Sequence, residues 1–105
     1  MPIPPPLTEE QRRDALKKAA LARRQRAELK EQLRSGRTKF EDLLARTEDE
    51  IVGKMKVSSV LEALPGVGRV GARKLMERIR ISETRRMRGL GQKQRANLLL
   101  EFTRE

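Results

Sequence analysis

Leu64-Pro65-Gly66-Val67-Gly68-Arg69-Val70-Gly71-Ala72-Arg73-Lys74-Leu75-Met76 stops one helix and starts another. Pro65 cannot continue an incoming helix. Gly66 and Gly68 are free to take positive φ and leave the backbone bare enough for a close approach. Val67, apolar between two glycines, is placed to plug the space between the helices. Val57, Val60, Leu61 and Leu64 fall at i, i+3, i+4 and i+7, one face of a helix, and Ala72, Leu75, Met76 and Ile79 give a second such face after the turn. The second helix then points its free N–H groups and positive dipole end outward, which suits a phosphate. Arg69 and Arg73 lie one turn apart, roughly 6 Å along the axis, and can flank one strand of a polyanion. A Gly-x-Gly alone fits a tight αα-turn that needs glycine only for its geometry. The apolar positions at fixed distances on both sides favour the binding turn.

Working outward, Gly89-Leu90-Gly91 lies 23 residues beyond Gly66-Val67-Gly68. At that offset Leu64 maps to Met87, Leu75 to Leu98, Met76 to Leu99 and Ile79 to Phe102, while Ala72 maps to Arg95, so the copy is imperfect. Ahead of it Ser82 is the expected N-cap, and Arg85, Arg86 and Arg88 crowd a short connector. Arginine suits phosphate forks and narrow grooves; a solvated basic turn is the alternative.

The rest of the chain also reads as helix. Thr8-Glu9-Glu10-Gln11 has the capping-box pattern. A long segment of good helix formers follows to about Leu33, with Ala15, Ala19, Ala22, Leu29 and Leu33 as a thin apolar stripe. Gly36 ends it. Thr38–Glu41 and Thr47–Glu50 offer further cap patterns around short helices, the first with Phe40, Leu43 and Leu44 on one face, and Gly53 closes the stretch. A last helix from about Gln92 to Phe102 is expected to bury Ala96, Leu98, Leu99 and Phe102. No segment alternates with period two. The expectation is an all-α single domain: residues 1–7 extended and Pro-rich, 8–34 a long basic helix, 35–53 short helices, and 54–105 a compact core that carries both turns.

Charge is unevenly placed. The chain has 105 residues, 25 Lys and Arg against 15 acids, and net charge +10. Residues 7–34 carry net +4, 35–53 net −2 and 54–105 net +8, so most of the excess coincides with the turns. So basic a short chain is expected to meet a polyanion or an anionic surface. Apolar runs are only a few residues long, so no bilayer span is expected. The opening Met1-Pro2-Ile3-Pro4-Pro5-Pro6 has neither a basic n-region nor an apolar h-region, which argues against a signal peptide and for the cytoplasm. Cys, His, Trp and Tyr are all absent. That removes disulfides, thiol nucleophiles and the commonest general base and metal ligand. With Phe40 and Phe102 as the only aromatics, base stacking on rings is disfavoured.

The Leu64–Met76 stretch resembles a helix-hairpin-helix, and with Gly89-Leu90-Gly91 it resembles a helix–two-turns–helix. Three further pieces resemble the actinobacterial integration host factor family: the Pro-rich start with Leu7-Thr8-Glu9-Glu10-Gln11-Arg12, the run Gly53-Lys54-Met55-Lys56-Val57, and Ile81-Ser82-Glu83-Thr84-Arg85-Arg86. The likeness spans nearly the whole chain apart from residues 35–50. It implies a nucleoid-associated, architectural protein that binds double-stranded DNA through its backbone with little sequence preference, shapes its path and topology, and supports phage integration. The residues it places on DNA are Lys54, Lys56, Pro65, Gly66, Val67, Gly68, Arg69, Val70, Arg73 and Lys74, and on the other turn Arg85, Arg86, Arg88, Gly89, Leu90 and Gly91. Arg12, Arg13, Lys17, Arg23 and Arg24, with Lys18 and Arg26 on the same helix, either touch a second DNA segment or keep the helix soluble. No metal or cofactor is expected beyond a monovalent cation that some hairpins of this type hold. The expected state is a monomer with no membrane partner. Two alternatives stand beside it: an RNA-binding structural protein of the ribosomal helix–two-turns–helix type, and a DNA repair lyase or glycosylase with a Lys nucleophile. The second needs a flipped-base pocket and a perturbed lysine, for which no polar cluster is evident, so no enzyme is expected.

Overall fold

The computed structural model describes residue 3 and residues 5–103. Six helices follow one another: α1 Glu9–Arg34, α2 Phe40–Leu44, α3 Glu50–Lys54, α4 Val57–Ala63, α5 Gly68–Ile79 and α6 Gln92–Thr103, with a 3-10 turn at Met87–Gly89 before α6. The fold is all-α, as the periodicity predicts. Residue 3 and residues 5–7 are exposed and irregular; Met1, Pro2 and Pro4 of the expected extended start lie outside the described residues.

α1 opens on the expected capping box. Thr8 Oγ1 accepts from the Gln11 amide at 3.1 Å, and Gln11 Oε1 accepts from the Thr8 amide at 3.0 Å, so two otherwise unpaired donors are satisfied reciprocally. Gly36, at φ 80°, turns the chain away after it. The expected stripe reaches the core only at its end. Leu29 and Leu33 are buried, Ala22 is half-buried, and Ala15 and Ala19 are exposed with Leu16 and Leu21. A helix of 26 residues is about 39 Å long at 1.5 Å per residue, longer than the core it packs on, so its first turns extend into solvent.

Two of the expected caps move. α2 starts at Phe40, with the Asp42 carboxylate accepting from the Lys39 amide at 3.0 Å; Thr38 turns its hydroxyl to Gln32 Oε1 instead, at 3.0 Å. α3 is capped by Asp49, which accepts from the Ile51 and Val52 amides at 2.8 and 3.1 Å. A carboxylate at a helix start gains from the dipole as well as the bonds, so it is a stronger cap than a hydroxyl. Thr47 is buried, and its hydroxyl accepts from Arg95 Nη1 at 3.0 Å while Arg95 Nη2 donates to the Leu44 carbonyl at 2.6 Å. Gly53 is no terminator either. It sits inside α3, where a Cβ would lie 2.5 Å from the Thr47 carbonyl.

The core is one cluster, centred on Leu33, Leu43, Val52, Val57, Val60, Leu61, Met87 and Leu98. Phe40 and Phe102 meet at its edge with ring centroids 5.0 Å apart. α6 buries Leu98 fully and Phe102 in part; the expected Ala96 and Leu99 are exposed. α5 leaves on an unusual residue. Arg80 takes φ 64°, the left-handed conformation usually given to glycine. Gln94 Nε2 donates to its carbonyl at 2.9 Å and fixes that exit against α6.

Candidate nucleic-acid interface

The hairpin between α4 and α5 has the expected backbone. Gly66 and Gly68 lie at φ 77° and 66°. A Cβ built on either would meet nothing within 4 Å, so here glycine answers the backbone conformation and leaves open space in front of it. Val67 is half-buried and packs against the core, closing the turn from below. The Leu64 carbonyl accepts from the Val67 amide at 3.2 Å. No side chain caps α5, and at its start Arg69 and Arg73 are exposed with Val70, 65% exposed, between them.

The second turn departs from the copy read in the sequence. Neither Gly89 nor Gly91 has positive φ. Residues 87–89 form the 3-10 turn, Leu90 is buried in the core, and Gln94 Oε1 accepts from the Gly91 amide at 2.9 Å. The Leu90 side chain therefore packs into the core, 7% exposed. Ser82 caps no helix; its hydroxyl accepts from the Thr84 amide at 3.3 Å within an irregular loop. The connector instead runs beside the start of α4. Val57 donates to the Arg85 carbonyl at 3.0 Å and Met87 to the Met55 carbonyl at 2.9 Å, clasping Lys56 and Arg86 side by side as an antiparallel bridge. In this pair Met55, Val57 and Met87 point in while Lys56 and Arg86 stay exposed. The alternation of buried and exposed residues in this pair is confined to Met55–Val57, too short to read in the sequence.

That clasp assembles the basic surface. Lys56 and the α5 residues Arg69 and Arg73 line one groove of about 400 Å³, floored by Ala72, Met76 and Ile81 and bordered by Glu62, Glu77 and Glu83. On its other side Lys56 lines a smaller cleft of about 220 Å³ with Lys54, Arg86, Ser59 and, from α1, Arg26 and Lys30. Lys54 pairs with Glu50 at 3.1 Å. Among the described residues, Lys56, Arg69, Arg73, Lys74, Arg85, Arg86 and Arg88 form no ion pair.

Each connector arginine spends one N–H inside the fold. Arg85 Nη1 donates to the Gly89 carbonyl at 3.0 Å and Arg86 Nη1 to that of Lys54 at 2.7 Å. Arg88 reaches furthest, lying against Gly53 and donating to the Glu48 carbonyl at 3.5 Å. The structure thus brings together Lys54, Lys56, Arg69, Arg73 and Arg86. Lys74 lies on another flank of α5, lining a groove with Gly66, Arg78 and Phe102, and Arg88 turns toward the α2–α3 loop. Arg12, Arg13, Lys17, Arg23 and Arg24 are exposed along the projecting part of α1. Arg26 and Lys30 are half-buried; their spacing, i and i+4 with Leu29 and Leu33 on the same face, was the available signal. No His, Cys, Asp or Glu group among the described residues is placed to hold a metal ion.

Residues 33–102, from the last residues of α1 to the end of the core, match the S13-like H2TH domain, the helix–two-turns–helix. The integration host factor of Streptomyces coelicolor is 57% identical over 99 residues, covering 93% of this chain and 92% of that protein. This chain belongs to the actinobacterial integration host factor family. The integration host factors of Mycolicibacterium smegmatis and Mycobacterium tuberculosis are each 56% identical over 99 residues, covering 93% of this chain and 94% of theirs. The solved structure of sIHF bound to an 8 bp palindromic DNA superposes with a TM-score of 0.80 at 50% identity, covering 82% of this chain and 98% of that one. That solved structure thus shares the helical core described above.

Proposed function

We propose that this chain holds the sugar–phosphate backbone of double-stranded DNA with little sequence preference and shapes its path on the chromosome. The family is one of nucleoid-associated, DNA-binding architectural proteins rather than catalysts. The observation that carries the backbone mode is the open hairpin: two positive-φ glycines with clear space before them, uncapped amides behind, and Arg69 and Arg73 alongside. Backbone amides and guanidiniums recognise phosphates, which are the same at every step. Base edges would call for an ordered set of side chains on a helix lying in the major groove, and α5 presents only Arg69, Val70, Arg73 and Lys74 near its start. The hairpin and the Lys56–Arg86 clasp are two separate contacts on one core, and a duplex touching both has its path fixed between them. The reading places a monomer on chromosomal DNA in the cytoplasm, with a role in phage integration following from its effect on DNA shape.

Titration of duplex DNA, duplex RNA and abasic DNA against salt tests this reading. With about six phosphates neutralised, log K falls with log salt at a slope near −5. Duplex DNA is the preferred ligand, and random duplexes yield no information-rich consensus. A slope near zero, or a preference for duplex RNA, would remove it.

A further inference from the structure

The small cleft between α1 and the Lys54–Ser59 segment gathers five cations, Arg26, Lys30, Lys54, Lys56 and Arg86. The fold does little to neutralise them. Only Lys54 has an acidic partner among the described residues, Glu50, and both of those side chains are largely exposed. Like charges gathered in one place repel, and an anion entering between them relieves that repulsion. The two α1 members differ from the helix's other cations. Arg26 and Lys30 are half-buried and line the cleft, whereas Arg12, Arg13, Lys17, Arg23 and Arg24 are exposed. Lys56 lines both this cleft and the groove that contains Arg69 and Arg73, so the two basic surfaces are continuous. The cleft has a volume of about 220 Å³, well beyond what a single water needs.

From this arrangement we infer that the cleft is a second phosphate site, where Arg26 and Lys30 join Lys54, Lys56 and Arg86 on a backbone phosphate of the duplex held by the hairpin. On α1 the DNA contact is therefore the segment nearest the core, and the projecting cations contribute only diffuse charge. The inference rests on the DNA-backbone reading and adds a defined set of residues to it.

The test compares two double variants of the full chain that remove equal charge from one helix, Arg26→Gln with Lys30→Gln, and Arg12→Gln with Arg13→Gln. Glutamine is a good helix former, and circular dichroism checks that α1 persists. Against a random-sequence 20-bp duplex, the Arg26/Lys30 variant loses about tenfold in affinity at moderate salt, and its salt slope becomes shallower by about one. The Arg12/Arg13 variant loses less than half of that. Arg26→Lys with Lys30→Arg, which keeps the charge, binds nearly as the parent does. Equal losses from the two Gln pairs would reduce Arg26 and Lys30 to net charge and overturn the site. An unchanged slope in the Arg26/Lys30 variant, where Gly68→Val has lost binding, would overturn the site and leave the DNA reading standing. Normal binding by Gly68→Val would remove the hairpin reading and this extension with it. Pyrophosphate supplies the other arm. Micromolar binding that stabilises the parent but not the Arg26/Lys30 variant would assign the cleft to a small free anion and overturn its assignment to the duplex.

Discussion

The two Gly-x-Gly turns, 23 residues apart, are nearly the same text and different objects. At Gly66-Val67-Gly68 both glycines take positive φ, open space lies where their Cβ atoms would be, and the helix that follows has no side-chain cap. At Gly89-Leu90-Gly91 no φ is positive, a Cβ on Gly89 would sit 3.2 Å from Arg85 Cδ, and the Gly91 amide is taken by Gln94. The first turn uses the Val67 amide within the hairpin and leaves the helix after it without a side-chain cap. The second ties its Gly91 amide to Gln94 and offers only the arginine heads around it. A repeated glycine pattern thus marks a helix start in both places, and an anion-receptive backbone in one.

Substitutions at the glycines separate the turns most sharply. Gly68→Val forces a β-branched side chain into positive φ and into the space a phosphate would occupy; affinity for duplex DNA falls about a hundredfold, on the order of 2.7 kcal/mol, while circular dichroism stays near that of the parent. Gly91→Ala has neither problem, since the nearest atom to its Cβ is Gln94 Oε1 at 3.6 Å, and binding changes less than twofold. Similar losses at the two positions would erase the distinction. Gly53→Ala probes the packing that supports the second turn. Its Cβ meets the Thr47 carbonyl, a backbone atom that cannot swing aside, so thermal unfolding should show a loss of about 1–3 kcal/mol.

Smaller effects sharpen the comparison within the connector. Arg86→Ala should reduce the DNA salt slope by about one, whereas Arg88→Ala, whose guanidinium lies toward Glu48, should lower the melting temperature more than it lowers affinity. If both simply weaken binding alike, the connector is an undifferentiated charge patch. Arg80→Gly relieves a non-glycine residue at φ 64° and should stabilise the fold by roughly 0.5–1 kcal/mol, read as a raised urea midpoint.

The smallest expected effect is at Asp49. Hydrogen bonding from the Val52 amide, joined by that of Ile51 and by Arg46, holds its carboxyl below the usual 3.8 despite an opposing desolvation. A lowered folded-state value stabilises the protein above the unfolded pKa and loses that contribution as pH falls through the folded one. Asp49→Asn should flatten the acid side of the stability profile, below about pH 4, and leave DNA affinity at neutral pH unchanged.

Sequence by itself determined the all-α class, the capping box on α1, the hairpin and the bracketing helices α4 and α5, because each depends on contacts within a few residues. Apolar spacing, a proline stop and glycines at a turn are local physics. The integration host factor likeness was legible for the same reason: Leu64–Met76, Gly53–Val57 and Ile81–Arg86 are contiguous runs. Local rules failed where a distant residue competed. Thr47 matched a cap pattern, yet it lies 48 positions from the Arg95 guanidinium that occupies its hydroxyl. Gly89 and Gly91 matched the hairpin, yet Arg85 and Gln94 take their surroundings. Ala15 and Ala19 sat on the right stripe of a helix that outruns its core. The grouping of Arg26 and Lys30 with Lys54, Lys56 and Arg86 was decided only by tertiary structure. It needs the Val57–Arg85 and Met87–Met55 hydrogen bonds to clasp two segments some thirty residues apart, and Leu29 and Leu33 to anchor α1 across them, and long-range pairings of that kind leave no periodic mark in the sequence.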